Sequence, residues 1–201
     1  MSKSAQVSLQ GIHIGDYVGE GVAHENTLAV KGAISTKVTV SEVSETHYSD
    51  DEGETTVTVE KIDIEQELAG LSLEERAAYL DEKLINGCMV SNVNSAANRG
   101  YKSMSFKSQK RNGAWRYTSI PKIKFSLQED EFATKSGKSE GKNVKLVGSA
   151  SPFNAAGDFR IIADSDAVGI SQEYLDTFLE TIPQLPSPAS TPAVQKINTN
   201  K

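Results

Sequence analysis

Over its first third this chain places apolar residues at every second position, and that alternation constrains the fold more than any other feature. Val7 and Leu9 alternate, then Ile12 and Ile14, with a slip of phase at Gly11 that predicts a bend or bulge. Leu28 and Val30 repeat the pattern, followed by Ile34, Val38 and Val40. Val57 and Val59 lead into Ile62 and Ile64 after another slip. A period of two sends successive side chains to opposite faces of a strand, whereas a helix needs apolar residues three or four apart. The polar, glycine-bearing SETHYSDDEGE separates the last two runs, so they are predicted to form an antiparallel hairpin with a long loop.

The period changes at SLEERAAYLDEKLIN, residues 72–86. Ser72 and Glu75 stand at capping-box spacing, which satisfies free N–H groups where a helix starts. Leu73, Ala77, Leu80 and Leu84 then share one helical face, and Asn86-Gly87 reads as the stop. NGCMVSNVNSAANRG reads as an irregular extension. Strands return in GAWRYTSIPKIKFSL. Strict alternation puts Trp115, Tyr117, Ile123, Phe125 and Leu127 on one face, with Arg116, Thr118, Lys122 and Lys124 on the other. Pro121 has no N–H to give a ladder and marks an edge or a break. NVKLVGSA and DFRIIAD are further strands, and Ser171 caps a second helix over 171–182 that turns Tyr174, Leu175, Phe178, Leu179 and Ile182 inward. From Pro183 to Lys201, four of the chain's six prolines and few large apolar residues predict a disordered tail. The expected fold is a single α+β domain over 1–182, an antiparallel sheet, flat or curled into a partly closed barrel, with two main helices.

No run of 18 apolar residues occurs, so no membrane-spanning helix is expected. The opening MSKSAQVSLQG lacks the apolar stretch of a signal peptide, and a lone Cys88 excludes an internal disulfide. Both point to the cytoplasm, or to the host cytoplasm for a viral or phage product.

Motifs of chemistry fail on inspection. GIHIGDYVGEG has His24 where a dinucleotide fingerprint needs its third glycine. SGKSEGK imitates both a nucleophile elbow and the end of a P-loop, but it precedes a strand, and Phe132 occupies the P-loop's first glycine position. Placing Gly53 of SDDEGE at the invariant glycine of a calcium loop puts Tyr48 and Val59 at the end ligand positions. His13, His24 and His47 are scattered, and Cys88 sits in GCMV, where a buried thiol is the ordinary outcome. The expectation is no enzyme, no metal and no cofactor.

Charge is segregated instead. Between Glu42 and Glu82 stand 14 acids against Lys61 and Arg76, in a chain of net charge −6. Arg99 to Ser126 then holds eight Lys or Arg and no acid. Phosphates attract such cations, and aromatic rings stack on unpaired bases. The candidate site is therefore Arg99, Tyr101, Lys102, Phe106, Lys107, Lys110, Arg111, Arg116, Lys122 and Lys124, binding single-stranded nucleic acid. Tyr101 and Phe106 are the stackers, in a stretch read as less regular, while Trp115 and Tyr117 go to the core. Two alternatives use the same asymmetry. One is a viral or phage structural protein, matrix-like or capsid-associated, whose acidic and basic faces mate in a homo-oligomer. The other is an acidic adaptor or inhibitor that covers a nucleic-acid-binding partner.

Overall fold

The computed structural model describes residues 5–20, 22, 25–49, 52–127, 143–181 and 183. The proline-rich segment beyond 183, the SGKSEGK loop and His24 lie outside them.

Ten strands and three helices follow one another: β1 (Gln6–Asp16), β2 (Glu25–Val30), β3 (Ala33–Ser49), β4 (Glu52–Leu68), α1 (Leu73–Leu80), β5 (Lys83–Ile85), β6 (Cys88–Val90), α2 (Ser95–Asn98), β7 (Lys102–Lys110), β8 (Trp115–Leu127), β9 (Val144–Ala150), β10 (Ile161–Asp164) and α3 (Gln172–Thr177). Seven strands run in the spatial order β2-β1-β7-β8-β9-β4-β3, and β10 joins as an eighth by pairing with β8. Every pairing is antiparallel. The class is α+β, mainly β, and the sheet is open rather than closed into a barrel, with β2 and β3 as its edges. Among the described residues, no helix is long and apolar enough to cross a membrane.

The alternations of the first third do become strands, and the slip at Gly11 becomes a register shift between Gln10 and His13. Gly11 takes φ +62, which other residues rarely adopt, and a Cβ there would stand 3.3 Å from the Leu179 side chain. The bulge thus lets the segment after α3 approach the sheet.

Four expectations need correction. In the SETHYSDDEGE stretch, residues 44–49 and 52–54 are strand rather than part of a long loop, because β3 and β4 stay paired to Ser49 and Glu52. The helix begins where expected: Glu75 N–H donates to Ser72 Oγ at 3.1 Å, and Ser72 N–H donates to Glu75 Oε2 at 2.8 Å. It ends at Leu80, however, with Asp81 in the left-handed region. Asn86 and Gly87, both at positive φ, are the turn of a small β5–β6 hairpin rather than a helix stop. Leu84 is therefore exposed. The segment read as less regular is, from Lys102 to Lys110, β7, a central strand with Met104 and Phe106 in the core.

The fourth correction concerns β8. Lys102 pairs with Ile123 and Met104 with Ile120, so β8 carries one extra residue around Pro121. Strict alternation breaks there. Ile120 joins Ile123 and Phe125 in one core, while Tyr117 lies in a second. Lys122 and Lys124 consequently share a face with Trp115 and Tyr117 instead of opposing them.

The two cores occupy opposite faces of the sheet. On the first, Tyr79 and Leu80 of α1 cover Ile12, Ile64, Met104, Ile123 and Phe125, with the Tyr79 ring edge-on to Phe125 at 5.0 Å. On the second, Leu175 and Phe178 cover Tyr117, Ile161 and Ala163. Gly148 of β9 lets Ile123 and Phe125 close over it: a Cβ there would stand 2.9 Å from Ile123 Cγ2 and 3.0 Å from the Phe125 ring. Gly148→Ala should therefore overpack the first core and cost about 1–3 kcal/mol in urea unfolding, whereas Gly157→Ala should leave the first core's packing untouched.

Candidate functional site

The sheet sorts the ten candidate residues by face. On the first face stand Lys102, Phe106, Lys110 and Arg116. Phe106 is buried in the core and has no surface on which a base can stack. Lys102 is buried, and its ammonium donates to Asp16 Oδ1 at 2.5 Å and to Asp81 Oδ1. Lys110 is 2% exposed and is paired with Asp164 at 2.6 Å and Asp166 at 2.8 Å. Arg116 grips Asp164 with two hydrogen bonds, Nε to Oδ1 at 2.7 Å and Nη2 to Oδ2 at 2.8 Å. Arg99 is tied to the backbone, donating to Leu80 O at 3.0 Å and Phe125 O at 2.9 Å. These four cations and Phe106 hold the fold together.

The electrostatics agree. The Arg116 hydrogen bonds, helped by Lys110 and opposed by burial, hold the Asp164 carboxyl at about 2. Burial works against the charged Lys110 ammonium, yet the two aspartates outweigh it and its pKa is raised. A charge taken out of water is tolerable when its partners are this close.

On the second face stand Tyr101, Lys107, Lys122 and Lys124. Lys107 lies over the Trp115 ring at 4.9 Å. Lys122 sits 4.8 Å from the Tyr101 ring centre and 5.8 Å from that of Tyr17, and Lys124 sits 5.5 Å from Tyr101. Cations over ring faces are attracted by the π-electrons, which fixes these flexible side chains in place. Tyr17 is anchored by its hydroxyl, which donates to Phe153 O at 2.9 Å. Tyr101 is 36% exposed, and among the described residues no carboxylate is paired with Lys122 or Lys124. Arg111 is exposed at the β7–β8 turn. That turn is roughly 30 Å along β8 from Lys124 at the usual rise per residue. The ten residues therefore do not form one track. A compact patch of Tyr17, Tyr101, Lys122 and Lys124 remains, and Tyr17 was missed because it lies 84 residues before Tyr101.

A second surface was hidden in the polar stretch. Beyond a bulge between Ser41 and Glu42, β3 and β4 continue for eight residue pairs, from Glu42–Val59 to Ser49–Glu52. β9 pairs with β4 over Asp63 to Leu68, so among the described residues these eight pairs have no third strand. The arm reaches roughly 26 Å past the sheet. Val43, Val57 and Val59 are 41%, 58% and 46% exposed on it. Sequence did carry the signal, since TTVTV is as rich in β-branched residues as any strand here.

Cys88, expected to be buried, is exposed on β6. His13 Nδ1 lies 3.1 Å from Gly11 O. Among the described residues, no group of three or more His, Cys, Asp or Glu is placed to hold a metal ion. No family model matches the chain, and comparison with curated proteins finds no relative.

Asp164 gives a sharp test of the buried cations. A carboxylate whose folded pKa is depressed contributes stability above its ordinary range and loses it as pH falls toward about 2. Asp164→Asn should cost about 3 kcal/mol at neutral pH, by leaving Lys110 with one partner, and should flatten the loss of melting temperature between the ordinary carboxylate range and that acid limit. Thermal melts across acid pH check both effects.

Proposed function

We propose that this protein is a self-assembling structural subunit, of the kind that builds viral or phage particles in a host cytoplasm, and that its β3–β4 arm docks on a neighbouring copy. One observation carries the reading. Among the described residues, the arm extends eight residue pairs beyond any third strand, with exposed valines on it. A two-stranded ribbon alone in water is marginally stable at best, because it has no face buried and both its edges are open. A chain that keeps such an arm regularly paired has a use for it, and burial against another molecule supplies the missing layer. Val57 and Val59 project from the same side of β4, two residues apart, so one docking surface can cover both.

Sedimentation velocity at rising protein concentration tests this. The full chain should form oligomers in the high micromolar range. A Val57→Asp/Val59→Asp variant should remain monomeric with an unchanged melting temperature, since neither side chain belongs to a core. A full chain that stays monomeric at every concentration would overturn the reading.

A second reading, single-stranded nucleic-acid binding, is favoured by the β8 bulge, which sets Lys122 and Lys124 beside Tyr101 and Tyr17. It keeps Tyr101, Lys107, Arg111, Lys122 and Lys124 of the original ten. Labelled single strands should then be retained on filters at about 50 mM salt, with affinity falling by about 0.7 log units per phosphate contact for each tenfold rise in salt. Lys122→Glu/Lys124→Glu should weaken retention for every sequence and flatten that slope. No retention at micromolar protein rules this reading out.

A further inference from the structure

Resting on the assembly reading, we propose that the patch of Tyr17, Tyr101, Lys122 and Lys124 is the receptor for the arm of a second copy. Charge complementarity identifies the occupant. From Glu42 to Glu60 the sequence holds seven acids and no Lys or Arg. The patch offers two ammoniums that no described carboxylate neutralises, held over tyrosine rings rather than swinging free. An acidic ribbon laid across it gains ion pairs with Lys122 and Lys124. The exposed Tyr101 ring offers the arm's valines an apolar surface, with a hydroxyl to bond the ribbon's edge.

The arm cannot serve its own patch. Ser149 of β9 lies between Lys124 and Asp63, which places the root of the arm two strands away from Lys124, or roughly 10 Å. From that root the ribbon continues the line of β4, two strands over from β8, and laying it across the patch would take it out of that line. The contact is therefore between copies. Donor and receptor are different surfaces, so two copies can exchange arms about a two-fold axis, or copies can add head-to-tail into a ring or a filament.

Charge exchange in the full chain tests the pairing. A patch-reversed variant, Lys122→Glu/Lys124→Glu, and an arm-reversed variant, Glu42→Lys/Glu60→Lys, in which Glu42 stands opposite Val59, should each need at least about tenfold more protein to assemble than the unaltered chain. An equimolar mixture of the two should assemble as readily as the unaltered chain, because the reversed arm's two Lys then meet the reversed patch's two Glu, while the unaltered arm meets an unaltered patch. Separate circular dichroism melts confirm that both variants fold.

If the patch-reversed variant assembles normally, the receptor lies elsewhere and this inference falls while the assembly reading stands. The same holds if that variant assembles normally yet loses single-strand retention, in which case the patch serves nucleic acid. A mixture that fails to recover also overturns the pairing and points to an occupant from within the chain, such as Glu129 to Glu131. An unaltered chain that never assembles overturns both.

Discussion

Between Ile120 and Ile123, β8 advances three residues while β7 advances two from Met104 to Lys102, and much of the molecule follows from that mismatch. One added residue exchanges the faces of everything beyond it. Before the bulge, Tyr117 faces the core under α3, and Ile120 faces the core under α1. After it, Ile123 and Phe125 take up the α1 side, and Lys122 and Lys124 emerge on the other. The same place divides the strand's outer edge, with Arg116 to Ser119 pairing with β10 and Ile123 to Leu127 with β9. Pro121 suits the junction, because a residue without an N–H costs nothing where the ladder is already interrupted.

This arrangement sorts the basic segment into two populations. Cations on the α1 side are building material. Lys102, Lys110 and Arg116 meet Asp16, Asp81, Asp164 and Asp166, and these pairs tie the middle strands of the sheet to distant parts of the chain. Among the described residues, cations on the other side meet aromatic rings and solvent rather than carboxylates. Acidity is sorted in the sequence as well, with seven acids and no Lys or Arg from Glu42 to Glu60. Opposite charges placed at separate, exposed positions on one molecule suit it to meeting copies of itself.

Much of this was legible in the sequence, and the failures have physical causes. Local chemistry read well: the Ser72–Glu75 capping box and the slip at Gly11 both depend on residues within a few positions of one another. The helix was drawn too long because Leu84 keeps helical phase with Leu80, yet Asn86-Gly87 closes a hairpin at least as well as it ends a helix. β7 was missed because its non-core face carries serines. Ser103 and Ser105 are buried all the same, with Ser105 Oγ donating to Ser119 Oγ at 3.1 Å, and a pattern of hydrophobicity does not register them. The candidate site failed for a longer-range reason. Freedom from acids in the segment was taken as freedom from acidic partners, but Asp164 lies 48 residues beyond Arg116 and Asp166 lies 56 beyond Lys110.

The central claim is that the β3–β4 arm is completed by another copy, and backbone hydrogen exchange measures that completion directly. An arm alone in water opens often, while one covered by a neighbour opens with the assembly as a whole. Followed by mass spectrometry over a range of protein concentrations, amides in 42–49 and 52–60 should exchange fast in dilute solution and slow by at least about tenfold as concentration rises, while those of β7 and β8 stay protected throughout. Arm amides that exchange at the same rate in dilute and concentrated solution would contradict the account.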